Sequence, residues 1–233
     1  MKLDILVFGA HPDDVELGCG GTIIKEIKAG KKVGIIDLTR GELGTRGTSD
    51  TRNSETKSAS EIMGVIVREN MDFKDGFFKD DEQNKLALIK KIRQYQPEIV
   101  ITNALSDRHP DHGRGAQITL DSCFLSGLEK IDTGQQIWRP RAIYHYIQFN
   151  HLKPDLVVDI SEEMEVKLQA VRAYSTQFFN PKSKETDTII SSKSFLESVS
   201  YRAKDLGRQS NCEYAEGFLA HQMLKVNTLL DIK

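Results

Sequence analysis

Apolar residues along this chain come in short runs separated by polar, glycine-bearing loops, and the runs carry two different periods. Residues 4–10 (DILVFGA) and Val33–Leu38 are nearly continuous apolar stretches of strand length, as expected for strands buried on both faces of a parallel sheet. Glu98–Thr102 (EIVIT) and Leu156–Ile160 read the same way, Met71–Phe73 as a shorter strand and Ala142–Phe149 as a longer one. Between these runs, apolar positions recur at helical spacing. Ile23, Ile24 and Ile27 form a stripe ending near Gly30; Ala59, Ile62, Met63 and Ile66 form a second, and Leu86, Ile89 and Ile92 a third. Ala116, Leu120, Phe124 and Leu128 mark one face of a fourth helix. Met164, Leu168 and Val171 mark a fifth, which starts at Ser161 with acidic residues near its first turn, where the helix dipole favours them. Thr39–Asp50 is a long polar loop, and the chain beyond Ile189 reads mainly as helix. Strands alternating with helices predict an α/β fold with a mostly parallel central sheet covered on both faces.

Composition narrows the class. The 233 residues suffice for one substantial core, and with no internal repeat or linker the whole of 1–233 is expected to be a single domain. Basic residues number 32 and acidic residues 34, so no positive surface of the kind nucleic acid requires is expected. No apolar stretch approaches the roughly 18 residues of a membrane helix, and the N-terminus lacks a signal-peptide layout. Cys19, Cys123 and Cys212 are odd in number and show no C-x-x-C spacing. A cytoplasmic protein without a membrane or nucleic-acid partner fits these features.

The chemistry concentrates in two loops. His11-Pro12-Asp13-Asp14 follows the first strand directly, and Asp107-Arg108-His109-Pro110-Asp111-His112 follows the EIVIT strand. Loops leaving the carboxyl ends of parallel strands converge on a crevice that holds ligands. Two imidazoles and a carboxylate with open positions form a recurrent catalytic zinc set, which also holds iron(II). Of the adjacent Asp13 and Asp14, one can bind the metal while the other faces the attacking water. His109, if not a ligand, can hydrogen-bond a developing oxyanion or protonate a leaving nitrogen. Asp111 either orients a histidine ring or caps the helix that follows.

Other residues carry weaker signals. Arg46, Arg52, Arg108 and Arg141 are candidates for a substrate carboxylate, and Tyr201, Glu213 and Glu216 for the pocket wall. The glycines of Gly18-Cys19-Gly20-Gly21-Thr22 lack dinucleotide-fingerprint spacing; they suit close packing at a helix start, with amides facing an anionic part of the substrate. His145 and His151 read as core or rim histidines, and His221 has no chemical signal.

The stretch AHPDDVELGCGGT from Ala10 to Thr22 resembles the signature of the PIG-L/LmbE-like N-acetylglucosaminyl deacetylases, and His109-Pro110-Asp111-His112 resembles that family's second metal-binding segment. TRGELGTRG with Arg52 and Glu55, and the late YAEGF at 214–218, extend the likeness over nearly the whole chain. It is nearest to the bacillithiol-biosynthesis deacetylases. The resemblance implies a Rossmann-like three-layer fold, and Zn2+ (or Fe2+ or another divalent metal) on His11, Asp14 and His112. It also implies Asp13 as general base, His109 assisting the oxyanion, Arg52 near the substrate, and a homo-oligomer, commonly a hexamer. The expected substrate is a GlcNAc conjugate with a carboxylate-bearing aglycone, N-acetyl-alpha-D-glucosaminyl L-malate. Deacetylation of another small GlcNAc conjugate or chito-oligosaccharide, and silent sugar binding, are the competing expectations.

Overall fold

Successive residues of the first strand, β1 (Ile5–Gly9), enter different cores: Ile5 and Val7 pack on one face of the sheet, Leu6 and Phe8 on the other. That two-residue alternation, with every position apolar, is why the strand reads as a continuous hydrophobic run. The computed structural model describes residues 1–231. After β1 come α1 (Asp14–Lys28), β2 (Val33–Thr39), α2 (Ser49–Met63), β3 (Val67–Phe73), α3 (Glu82–Tyr95), β4 (Ile99–Asn103), α4 (Pro110–Leu125) and β5 (Ala142–Tyr146). Then follow β6 (Leu156–Asp159), α5 (Met164–Arg172), α6 (Lys193–Gln209), β7 (Ala215–Ala220) and a 3-10 turn at Leu229–Asp231.

The seven strands are ordered β3-β2-β1-β4-β5-β7-β6, with the first five parallel and β7 antiparallel to both its neighbours. Residues of α1, α2, α5 and α6 fill one core, and those of α3 and α4 the other. The fold is therefore the expected α/β three-layer sandwich. From β1 the chain winds outward through β2 and β3 on one side, and β4 and β5 extend the other. The β1–β4 boundary is thus the place where successive connections diverge, and a crevice opens at the strands' carboxyl ends. No helix among the described residues is long and apolar enough to cross a membrane.

Several element boundaries differ from the periodicity. The second helix stops at Met63, where Gly64 takes a left-handed φ of 78° and bonds back to the last turn, so Ile66 lies outside it. On α4 the buried side is Ala116, Ile118, Thr119, Ser122 and Cys123, and Phe124 is 59% exposed. Small and polar residues face the core there, so apolar spacing selected the wrong stripe. The principal correction is β7, within a stretch expected to be mainly helical. AEGFLA has little intrinsic strand preference; Phe218 and Gly217 pair with Tyr146, Leu156 and Val157 because two neighbouring strands offer open edges there.

The glycine-rich start of α1 also turns out differently. Gly18 must be glycine because an added Cβ would lie 2.2 Å from the Tyr146 ring, the close packing expected of it. The helix is kinked at Cys19 (φ −146°), which releases the Gly21 and Thr22 amides. Those amides do meet an anion, but it is the protein's own. Glu216 of β7 accepts from Gly21 N at 2.9 Å and Thr22 N at 2.7 Å, and Lys167 spans Glu216 and the Leu17 carbonyl. Glu216 is therefore a buried brace and not a pocket residue, and Cys19, fully buried, is packing.

Candidate metal centre

The His11–Asp14 loop leaves β1 and the Asp107–His112 loop leaves β4, and the β1–β4 pairing brings the two together. Asp14, the first residue of α1, is 2% exposed and its carboxylate is held from three sides. His11 N donates to Oδ2 at 2.9 Å, Asn103 Nδ2 to Oδ2 at 3.2 Å, and Gln148 Nε2 to Oδ1 at 2.7 Å. Against this fixed carboxylate stand two imidazoles: His112 Nε2 lies 3.1 Å from Oδ1 and His11 Nδ1 3.5 Å from Oδ2.

The far nitrogens of both rings are taken by carboxylates. His11 Nε2–H donates to Asp75 Oδ1 at 3.0 Å, with Asp111 Oδ2 at 3.4 Å, and His112 Nδ1–H donates to Asp107 Oδ2 at 2.9 Å. In the neutral rings the lone pairs must then sit on His11 Nδ1 and His112 Nε2, facing Asp14. Two lone pairs and a carboxylate at this range repel unless a cation lies between them. Ligands about 2.0–2.1 Å from a tetrahedral metal are themselves about 3.3 Å apart, which matches these spacings. The donor set and its outer carboxylates therefore fit a divalent cation.

The same demand for positive charge shows in the pKa shifts of these groups. Burial alone would lower His112, yet the Asp14 charge and hydrogen bonds to Asp107 and Asp14 push it up to about 9. His11 is likewise buried, and Asp111, Asp14 and Asp75 lift it well above the usual histidine value. Asp14 is held well below the carboxylate range by His112 and His11 despite its burial. As an expected result, Asp75→Ala or Asp107→Ala lowers metal affinity roughly 10- to 100-fold by freeing a ligand ring. Chelator competition measures this, and unchanged affinity in both variants would contradict the role given to these carboxylates.

Asp13 and Asp14 diverge through the backbone. Asp13 sits at φ 109°, a left-handed conformation unusual for a non-glycine residue, as the N-cap of α1. This sends its carboxylate away from the helix toward Arg52, whose Nη2 donates to Oδ2 at 2.7 Å. Burial pushes Asp13 up to about 7, against the pull of Arg52 and with the help of Asp14.

His109 is the N-cap of α4, its Nδ1 accepting from Asp111 N at 3.2 Å. The ring proton is thereby placed on Nε2, and burial together with the charges of His11 and His112 lowers the pKa of the ring, which favours its neutral form. The His109 and His11 ring centroids are 4.6 Å apart, and ring nitrogens of His11, His109 and His112 lie within 4.8 Å of one another. Of the two roles open to Asp111, the structure gives it the side of His11; the cap belongs to His109.

These residues form the floor of a cavity of about 400 Å³, whose walls include Arg46, Arg52, Arg108, Gln148, Phe149 and Arg202. Besides Glu216, three expected members are absent. Arg141 precedes β5 and lies at the amino end of the sheet, where it lines a separate groove. Tyr201 is 63% exposed on the outer side of α6, and its neighbour Arg202 faces the cavity instead. A one-residue step on a helix rotates the side chain by about 100°. Glu213 does not line the cavity either. His145 is buried and donates from Nδ1 to Asn103 O at 2.8 Å, a core histidine as expected.

Sequence reasoning missed Asp75, Asn103, Gln148 and Arg202. Asp75 offered one signal, an acidic residue just beyond the end of a strand like those at 11–14 and 107–112. Gln148 and Arg202 offered none, because only packing reveals their direction.

Residues 6–123 match the PIG-L family model, described as GlcNAc-PI de-N-acetylase. Diacetylchitobiose deacetylase of Thermococcus kodakarensis is 31% identical over 75% of this chain and 70% of that protein. Probable N-acetyl-alpha-D-glucosaminyl L-malate deacetylase 2 of Bacillus subtilis is 28% identical over 76% of this chain and 84% of that protein. A 4-oxalmesaconate hydratase of Pseudomonas putida is 25% identical over 74% of this chain and 73% of that one. The crystal structure of the conserved protein TT1542 from Thermus thermophilus superposes with a TM-score of 0.88 at 33% identity, covering 97% of this chain and 98% of that one.

Proposed function

Because this chain belongs to the PIG-L family and is an N-deacetylase acting on GlcNAc-type substrates, we propose that it hydrolyses the N-acetyl group of N-acetyl-alpha-D-glucosaminyl L-malate, giving glucosaminyl-malate and acetate with Zn2+ as its metal. The observation that carries the chemistry is the Asp14 carboxylate facing His11 Nδ1 and His112 Nε2, with Asp13 directed beside it. The malate conjugate is supported by the Bacillus subtilis relative and by the arginines lining the cavity.

His11, Asp14 and His112 would hold the cation, which supplies Lewis-acid polarisation of the acetyl carbonyl and acidifies the attacking water. Asp13 accepts the proton of that water as it attacks the carbonyl carbon. Arg52 holds Asp13 Oδ2, so the other carboxylate oxygen, which makes no hydrogen bond among the described residues, is the one that takes the proton. His109 Nε2–H lies ready to hydrogen-bond the carbonyl oxygen as negative charge develops there, and the proton that Asp13 took from the water passes to the leaving nitrogen as the C–N bond breaks.

The cavity volume lies in the range that encloses a small ligand. Cytoplasmic action fits the three free cysteines.

The discriminating assay is acetate release from the malate conjugate, free GlcNAc and diacetylchitobiose. A strong preference for the malate conjugate supports the reading. Preference for diacetylchitobiose transfers the function to chito-oligosaccharides. Turnover of none of them, with hydration of an unsaturated dicarboxylic acid, would replace it with the chemistry of the hydratase relative.

A further inference from the structure

Four arginines line the cavity, and they are not equivalent. Arg52 donates to Asp13 Oδ2 at 2.7 Å. Arg46 is bonded to Ser183 and lies 3.7 Å from Glu185. Both charges are answered by the protein itself. Arg108 has its guanidinium 4.6 Å from the ring centre of Phe149, and no carboxylate pairs with it among the described residues.

Arg202 is the least satisfied of the four. It is half-buried on α6, an element that supplies none of the residues around Asp14. Among the described residues its guanidinium makes neither a hydrogen bond nor an ion pair; Asp107 and Glu216 act on it only from a distance, and burial lowers its pKa. The same cavity wall carries the apolar Phe195, Ile189 and Ile190. A guanidinium carries five donors and no acceptor and keeps its charge throughout the working range of pH. Partly withdrawn from water and without a protein acceptor among the described residues, it is free to bind a ligand that supplies oxygens.

Resting on the deacetylase reading above, we propose that Arg202, together with Arg108, binds the anionic end of the substrate, a carboxylate or phosphate on the group attached to the amino sugar. The pair thereby sets which conjugate is accepted. A planar guanidinium matches either oxyanion with two parallel hydrogen bonds, whereas a neutral sugar leaves Arg202 without its acceptors. Arg52 is then a positioning residue for Asp13 and not the acid clamp, since a substrate carboxylate would have to displace that ion pair.

Arg202→Met keeps the length of the stem and removes the charge; Arg202→Lys keeps the charge without the fork. Each is assayed against N-acetylglucosaminyl L-malate, N-acetylglucosamine 1-phosphate and neutral methyl N-acetyl-α-glucosaminide. Whichever acid the wild type prefers identifies the oxyanion. For that acid, Arg202→Met should lower kcat/KM by roughly 10- to 100-fold, mainly through KM, and Arg202→Lys should recover part of the loss. The neutral glycoside, which offers Arg202 no oxyanion, should lose far less. Equal losses on neutral and acidic substrates, or no loss on either, overturn the proposal. Calorimetric binding of the two acids to metal-free wild type and Arg202→Met separates this from failure of the deacetylase reading. Binding weakened by the substitution upholds the anion site even if no acetate is released from any compound. Equal binding, or no binding to the wild type, overturns it.

Discussion

His11→Ala, Asp14→Ala or His112→Ala is expected to leave a folded protein that no longer retains its metal and releases acetate roughly 10³-fold or more slowly. The magnitude follows from removing several kcal/mol of charge stabilisation from the chemical step, at about 1.36 kcal/mol per tenfold. Asp14 should be the most sensitive of the three. It is nearly inaccessible and receives hydrogen bonds from His11 N, Asn103 and Gln148, so its loss also strands those donors. His11 lies in the loop after β1 and His112 in the first turn of α4, outside both apolar cores, so their truncation exposes Asp75 or Asp107 to water without opening either core. Metal content after gel filtration and thermal melting on the same samples check the claim. Full metal occupancy in all three variants would remove the ligand set.

Asp13→Asn is expected to retain the metal and lose about 10²–10⁴-fold in kcat, the usual contribution of a positioned general base. The amide keeps the shape and can still accept from Arg52, but it cannot take a proton from water. The pH profile gives an independent reading. Burial raises the Asp13 carboxyl to about 7, opposed by Arg52 and His11 and assisted by Asp14 and Glu16. A base works only in its ionised form, so wild-type activity should fall as the pH drops through the Asp13 pKa. A divalent cation beside it favours the carboxylate, which places that acid limb at or below about 7. In Asp13→Asn the limb should vanish along with most of the rate. Near-wild-type turnover, or an unchanged acid limb, would take the role of base away from Asp13.

Both predictions rest on residues that are legible in the amino-acid sequence alone, and the reason is topological. β1 and β4 are parallel neighbours at the point where the connections diverge, so two histidine-bearing loops at equivalent strand ends had to face one crevice. The strands of that region are buried on both faces and announce themselves as apolar runs. Direction is not legible in the same way. Whether Tyr201 or Arg202 enters the cavity depends on a single residue's rotation about α6, and Asp75 reaches His11 from a loop 64 residues away. Glu216 escapes a sequence reading for the same reason: its partners on α1 exist only because the helix is kinked at Cys19. The strand that carries Glu216 is hidden because its pairing comes from neighbours and not from its own residues.

The most direct test of the account is acetate release from N-acetylglucosaminyl L-malate, with metal content measured on the same sample before chelation, after chelation and after zinc is restored. The account predicts release that follows metal content, disappearing with the chelator and returning with zinc. Acetate release undiminished in metal-free protein would contradict it.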